Sequence, residues 1–151
     1  MEAKALQFMK IQLKFNDQVI VKNIDEISNE EALIFPAGGA NPANWIFGHL
    51  IFIRNSMIEI LGGKAVWNND AYTFYERGAE PKAHTGKFPE FDILKNFYSE
   101  SRIILDRLLS ETEYINEKDA EDLAALMLHE IYHAGQLGYM RRLLGKEGAV
   151  K

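Results

Sequence analysis

LMLHEIYHAGQLGYMRRLL, residues 126–144, is the stretch of the chain that predicts both its fold class and its chemistry. His129 and His133 stand four residues apart, so on a helix they lie one turn apart, about 6 Å along the axis. The stripe that contains them continues through apolar positions at three- and four-residue steps: Leu126, Leu137, Met140 and Leu144. We therefore expect a helix whose two histidines face the core of the protein.

The same periodicity predicts three further helices upstream of this one. Together the four predicted helices cover residues 3–24, 42–60, 89–109 and 119–144. Asn41 is the expected N-cap of the second helix with Pro42 at its first position, and Gly145 is the expected stop of the fourth. No stretch has the pattern of a strand. The chain, residues 1–151, is accordingly expected to form one all-α domain, a four-helix bundle.

The lengths of the connections suggest how these helices follow one another. Short links join the first helix to the second and the third to the fourth, which favours antiparallel neighbours. Residues 64–87 form a long irregular connection that can return along the bundle, so the second and third helices are expected to run parallel. A connection of this length in a compact domain is usually functional, often as one wall of a site.

The second helix is apolar on more than one face, with Ile46, Phe47, Leu50 and Ile51 pointing in different directions. This pattern favours burial on several sides, and we expect a subunit interface there in addition to the bundle core. His49 shares a face with Trp45 and is expected to point inward like His129 and His133.

Three inward histidines from two helices predict a shared metal site. Buried imidazole nitrogens need partners, and one cation satisfies several of them at once. Three nitrogen ligands leave a coordination position open, as in catalytic sites. His49, His129 and His133 are therefore the predicted ligands of one divalent ion, Zn or Ni first, with Fe, Mn or Cu as alternatives. Any one of these histidines alone is more often a hydrogen-bonded core residue.

Two neighbours of the ligands are candidate catalytic residues. Glu130 completes an H-E-x-x-H string, the pattern in which zinc proteases use the glutamate as general base. The protease interpretation is disfavoured because the expected third ligand downstream is missing, and a solvent-facing or ligand-supporting carboxylate is the alternative. Gln136 lies one turn beyond His133 and can orient a ligand or its water. His84 in the long connection is a further candidate acid or base, although a solvated histidine is the favoured interpretation.

Bulk properties exclude several classes of function. The net charge of −5 is spread along the chain, without the basic stripe that binding to nucleic acid requires. Cysteine is absent, which excludes disulfides and a protein thiolate. No apolar run is long enough for a membrane span, and the first residues do not resemble a signal peptide. We expect a soluble cytoplasmic protein with no nucleic-acid or membrane partner.

Two motifs resemble the DinB/YfiT-like superfamily of bacterial metalloproteins. They are NWIFGHL, residues 44–50, and LHEIYHAGQL, residues 128–137. The resemblance implies an up-down-down-up bundle, usually a homodimer, in which the three histidines bind zinc, nickel or a similar ion. It also implies a possible relation to transferases and isomerases that use bacillithiol, mycothiol or glutathione, although many members have no established activity.

The preferred hypothesis is a metal-dependent thiol S-transferase acting with a low-molecular-weight thiol. Cations would hold the carboxylates of that thiol, and the candidates are Arg54, Lys64, Arg77, Lys82 and Lys87. The alternatives are metal-assisted hydrolysis with Glu130 or His84 as base, and a non-catalytic metal-binding or stress-response dimer.

Overall fold

The structure, a computed structural model, describes residues 3–150, and side chains from residue 6 onward. Five α-helices occur in this range: α1 (Ala3–Ile24), α2 (Asn29–Ala32), α3 (Ala43–Ile60), α4 (Phe91–Glu111) and α5 (Glu117–Leu143). No strand occurs among residues 3–150, so the all-α prediction is confirmed. The four predicted helices correspond to α1, α3, α4 and α5. Within the same range, no helix combines the length and apolarity needed to cross a bilayer.

The helix ends follow local capping chemistry. The Asn116 side chain accepts a hydrogen bond from the backbone N–H of Asp119 at 2.9 Å and begins α5. Gly145, with φ +76°, follows α5 where a left-handed residue commonly ends a helix. The prediction of Asn41 as the cap of α3 was wrong. Pro42 takes that place, because its carbonyl accepts from the Ile46 N–H while its own backbone is extended.

The long connection after α3 is more ordered than predicted. It contains two 3-10 segments, Asn69–Tyr75 and Pro81–Lys87. Trp67, Phe74 and Tyr75 are buried in the larger apolar cluster of the core. The connection is therefore a packed wall of the protein, because its aromatic side chains hold it against the helices.

The helices form a square in which α1 and α3 each pack against both α4 and α5. Among the described residues, α1 and α3 do not pack closely on each other, and neither do α4 and α5. The prediction that helices joined by short links are neighbours was therefore wrong. The link from α1 to α3 and the link from α4 to α5 each connect helices at opposite corners of the square. This follows because α1 and α3 lie on opposite sides of the α4 and α5 pair.

The helix α3 is buried within its own chain. Fourteen of its eighteen residues are buried, against α4, α5, α2 and the Asn69–Tyr75 segment. The predicted burial on several sides is confirmed, but the expected subunit interface on α3 gains no support, since its own chain already covers these faces. Homodimerisation itself stays a prediction. Large exposed apolar side chains occur elsewhere, on α1 and α5, including Phe8, Phe15, Leu128, Ile131 and Tyr132.

A polar layer separates two apolar clusters at the middle of the bundle. One cluster contains Phe47, Leu50, Leu94 and Leu137, and the other contains Leu13, Met57, Leu105 and Met127. Each long helix carries buried polar side chains near the point where it passes between the two clusters. We call this the central polar layer: Asn16 and Asp17 of α1, Arg54 of α3, Ser101 of α4 and Glu130 of α5.

Gly48 permits the close approach of α3 to the connection. A Cβ at Gly48 would lie 2.3 Å from the buried ring of Tyr75, so Gly48→Ala must displace that ring. We expect Gly48→Ala to lower the free energy of unfolding by about 1–3 kcal/mol, measured by urea denaturation. Gly135→Ala is the matched control on α5, where a Cβ meets nothing within 4 Å. It should raise that free energy by up to about 1 kcal/mol because alanine favours helix. Equal effects of the two substitutions would contradict this account.

Candidate metal centre

The three predicted ligands lie together in the structure. His49 comes from α3, and His129 and His133 come from successive turns of α5. The His129 Nε2 atom is 3.1 Å from His49 Nε2 and 2.8 Å from His133 Nε2. The candidate ligand atoms of the three residues all lie within 4.8 Å of one another. The group can therefore hold a metal ion.

Two of the rings are oriented by contacts on their outer side. His49 Nδ1 lies 2.6 Å from the backbone oxygen of Tyr75, and the His49 ring stacks on Trp45 with an interplanar angle of 8°. His133 Nδ1 lies 2.7 Å from Gln136 Oε1, while Gln136 Nε2 donates to the Tyr132 hydroxyl. Both oxygens accept, so both rings carry their proton on Nδ1. Each therefore presents an unprotonated Nε2 to the centre of the group.

With these tautomers, the three Nε2 atoms at the centre have at most one N–H among them. His129 Nε2 faces the lone pairs of both His49 and His133, and a single N–H can donate to only one of them. Burial makes an unpartnered nitrogen costly. A divalent cation that accepts all three lone pairs removes the deficit, and neutral imidazoles are the donors that Zn, Ni, Fe and Cu accept. The residues present therefore fit such an ion.

The electrostatic environment keeps the three imidazoles neutral. Burial lowers the pKa of His49 and of His129, and the positive charge of Arg77 contributes to both shifts. Burial, followed by the charge on His49, lowers the pKa of His133 from 6.5 to about 4. Because only a neutral imidazole binds a metal, the group is ready for one at neutral pH.

The buried face of α5 differs from the predicted stripe. It is centred on Leu123, Met127, Glu130, Ala134 and Leu137. That face is rotated by about one residue from the stripe expected through Leu126 and His129, both of which are only half-buried. His133, by contrast, is buried, with only 6% of its surface exposed. His129 therefore lies at the edge of the core, which places one side of the group toward solvent.

Glu130 is fully buried, which excludes the alternative of a solvent-facing carboxylate and leaves that of a ligand-supporting one. Its two carboxylate oxygens accept hydrogen bonds from Arg54 at 2.7 and 3.0 Å and from Asn16 at 3.4 Å. A proton transfer to Glu130 would have to break this ion pair. Its predicted catalytic role stays a prediction, and the contacts favour a structural role.

The other candidate site residues differ in whether they contact the three histidines. Gln136 contacts His133 directly, as expected of a residue that orients a ligand. His84 is half-buried in the Pro81–Lys87 segment, where its ring lies 6.3 Å from that of Phe74, and it does not join the three histidines. Tyr132 has its ring 5.1 Å from that of His133 and so borders the group.

One partner of the centre, the Tyr75 carbonyl, was not predicted from the sequence. A backbone oxygen carries no side-chain signal, and Tyr75 lies 26 residues from His49 along the chain. Arg77 was only one of several candidate cations. The charge of Arg77 acts on His49 and His129, because the Asn69–Tyr75 segment that precedes it packs on α3.

Comparison of the chain with protein-family models, with curated proteins and with solved structures found no match in any of the three.

The lowered pKa of His133 predicts how the stability of metal-free protein depends on pH. Between pH 6.5 and 4 the folded chain binds fewer protons at this residue than the unfolded chain. The contribution of neutral His133 to the free energy of unfolding is therefore complete above pH 6.5. It decreases by about 3 kcal/mol as the pH falls toward 4. Urea denaturation of chelator-treated protein measures it. His133→Gln should flatten this dependence and His84→Gln should not. An unchanged pH dependence in His133→Gln would contradict the assignment.

Proposed function

We propose that this protein is a metal-dependent thiol S-transferase that acts with a low-molecular-weight thiol. The observation that supports the proposal is the convergence of three Nε2 atoms, from His49, His129 and His133, on one point. We further propose zinc or nickel as the ion, since both accept a set of neutral imidazoles. The motif resemblance to the DinB/YfiT-like superfamily agrees with this proposal.

When bound, a divalent ion with an open coordination position lowers the pKa of a thiol or water placed there. The chain's own residues contribute position. The Tyr75 carbonyl and Gln136 hold the rings of His49 and His133, and Trp45 covers one face of His49. The sulfur has to come from a cosubstrate because the chain contains no cysteine.

Arg77 is the cation best placed to hold the carboxylates of such a thiol. Arg54 is fully buried and paired with Glu130, and the Lys82 ammonium lies over the ring of Phe35. The Arg77 side chain is exposed, and its charge acts on His49 and His129. It follows Tyr75, whose carbonyl touches His49, by two residues. An anionic cosubstrate would therefore meet a positive charge beside the histidine group.

The alternative functions receive less support from the same contacts. Hydrolysis with Glu130 as base requires a carboxylate free to accept a proton, whereas this carboxylate is bound by Arg54. His84 lies outside the histidine group. A non-catalytic metal-binding protein needs only the histidines and is the remaining alternative.

We also propose that the four long helices run up-down-down-up, as the motif resemblance implies. What supports this order is the sequence of contacts along each pair. Lys10 and Asp17 of α1 meet Asp106 and then Tyr98 of α4, which is an antiparallel pairing. Asn16 and Asn23 of α1 meet Glu130 and then Ala134 of α5, which is a parallel pairing.

Metal binding is the first test of the proposed function. Protein purified without a histidine tag should bind about one equivalent of Zn²⁺ or Ni²⁺, measured by elemental analysis and titration. His129→Ala should weaken binding by more than about 100-fold, since loss of a ligand costs more than loss of its supporting residue. The fold should persist because the apolar clusters do not include His129.

His84→Ala is the matched control and should keep full metal occupancy. A wild-type protein that binds less than a tenth of an equivalent after loading would refute the site. Full occupancy of His129→Ala would refute the ligand assignment.

Thiol binding tests the role of Arg77. A thermal-shift panel of bacillithiol, mycothiol and glutathione on metal-loaded protein should identify one thiol that raises the melting temperature. Arg77→Gln should weaken binding of that thiol at least about tenfold, the cost of one charge-assisted hydrogen bond, and should not lower metal affinity, since it removes a positive charge near the cation site.

Arg107→Gln is the matched control. It removes an exposed arginine on α4 and should leave binding of the thiol unchanged. Equal binding by Arg77→Gln and wild type would refute the role of Arg77. Absence of a shift with every thiol would favour the non-catalytic alternative.

A further inference from the structure

The helices that carry the ligands are joined by a buried ion pair. Arg54 of α3 and Glu130 of α5 both have side chains that are 0% exposed. Arg54 Nε donates to Glu130 Oε2 at 2.7 Å, and Arg54 Nη2 donates to Glu130 Oε1 at 3.0 Å. This two-point contact fixes direction as well as distance, because the guanidinium is planar and rigid.

The same guanidinium connects the pair to the other two long helices. Arg54 Nη2 donates to Asp17 Oδ1 of α1 at 2.6 Å, and the Tyr98 hydroxyl of α4 donates to the same oxygen at 2.7 Å. The Arg54 guanidinium carbon also lies 4.1 Å from the centre of the Tyr98 ring. All four long helices therefore meet at the central polar layer.

The ion pair lies close to the histidines along both helices. His49 precedes Arg54 by five residues on α3, and Glu130 directly follows His129 on α5. A helix rises 1.5 Å per residue, so a slip of one residue between α3 and α5 moves His49 by about 1.5 Å. Metal–nitrogen distances of about 2.0–2.1 Å tolerate changes of only about 0.2 Å. The centre therefore requires one register of α3 against α5.

Apolar packing alone is a weak source of that register. Most of the buried residues of α3 are apolar, and apolar surfaces can pack in several alignments at similar free energy. A bidentate charge pair in the core permits one alignment, because any other leaves buried charges unpaired.

We infer that the Arg54–Glu130 pair positions the metal centre, by setting the register in which His49 of α3 meets His129 and His133 of α5. Glu130 is then a positioning residue that acts through the helices. The inference rests on the proposed metal site and is independent of thiol chemistry.

The test compares metal affinity in Glu130→Gln with that in the wild-type chain. Zn²⁺ affinity is measured by competition with a chromophoric chelator, and the Co²⁺ absorption spectrum reports the coordination geometry. Glu130→Gln keeps the shape of the side chain but removes its charge. We expect Zn²⁺ affinity to fall by about 10–100-fold and the Co²⁺ spectrum to change. Arg54→Lys keeps the buried charge but loses the two-point contact, and it should give a smaller loss in the same direction.

Tyr98→Phe is the matched control. It removes a hydrogen bond to Asp17 in the same layer but leaves the Arg54–Glu130 contact intact. It should lower stability toward urea while leaving Zn²⁺ affinity per folded molecule and the Co²⁺ spectrum unchanged. This readout distinguishes loss of register from general loosening of the core.

Each outcome decides between these explanations. No Zn²⁺ binding by the wild-type chain would refute the proposed site and the positioning role with it. Wild-type affinity in Glu130→Gln would overturn the positioning role alone, as would an equal loss in Tyr98→Phe. Failure of both Glu130→Gln and Arg54→Lys to fold would also overturn it, because the pair would then be a requirement of the whole fold.

Discussion

Arg54 carries a full positive charge into the centre of a helical bundle, and the chain must compensate that charge. Glu130 and Asp17 supply the opposite charges, and Tyr98 covers the guanidinium with its ring. Desolvation alone would lower the pKa of Arg54, but the two carboxylates outweigh it and raise that pKa. The guanidinium therefore stays charged, and each of the other three long helices presents a partner at the same level of the bundle. The two apolar clusters then pack on either side of this layer.

The histidine group depends on the same arrangement. It lies between α3 and α5, the two helices that the ion pair joins, and its outer contacts come from the Tyr75 carbonyl and Gln136. Burial lowers the pKa of all three imidazoles, so the group offers neutral nitrogen donors at neutral pH. His129 is half-buried, so one side of the group faces solvent, and the positive charge of the exposed Arg77 acts on this histidine.

The H-E-x-x-H string shows how one motif can serve different ends. In a helix, successive side chains point about 100° apart, so the rotation of the helix decides which of Glu130 and His129 faces the middle of the core. Here the rotation places Glu130 at the middle of the buried face and His129 at its edge. The glutamate is thereby turned toward Arg54, and the motif contributes two histidines of the group that can hold a metal ion and one structural charge.

Local patterns were sufficient for the helices, for the single face shared by His129 and His133, and for the inward direction of His49, because helical periodicity relates neighbouring residues without reference to the rest of the chain. They were insufficient for the cap at Pro42, the covering of α3 by its own chain and the diagonal placement of α1 and α3. They also gave no indication that Glu130 pairs with Arg54, 76 residues away, or that the Tyr75 carbonyl orients His49. These features arise from contacts between distant segments. Only the folded chain decides them, since a backbone oxygen and a buried charge find partners according to how the helices pack.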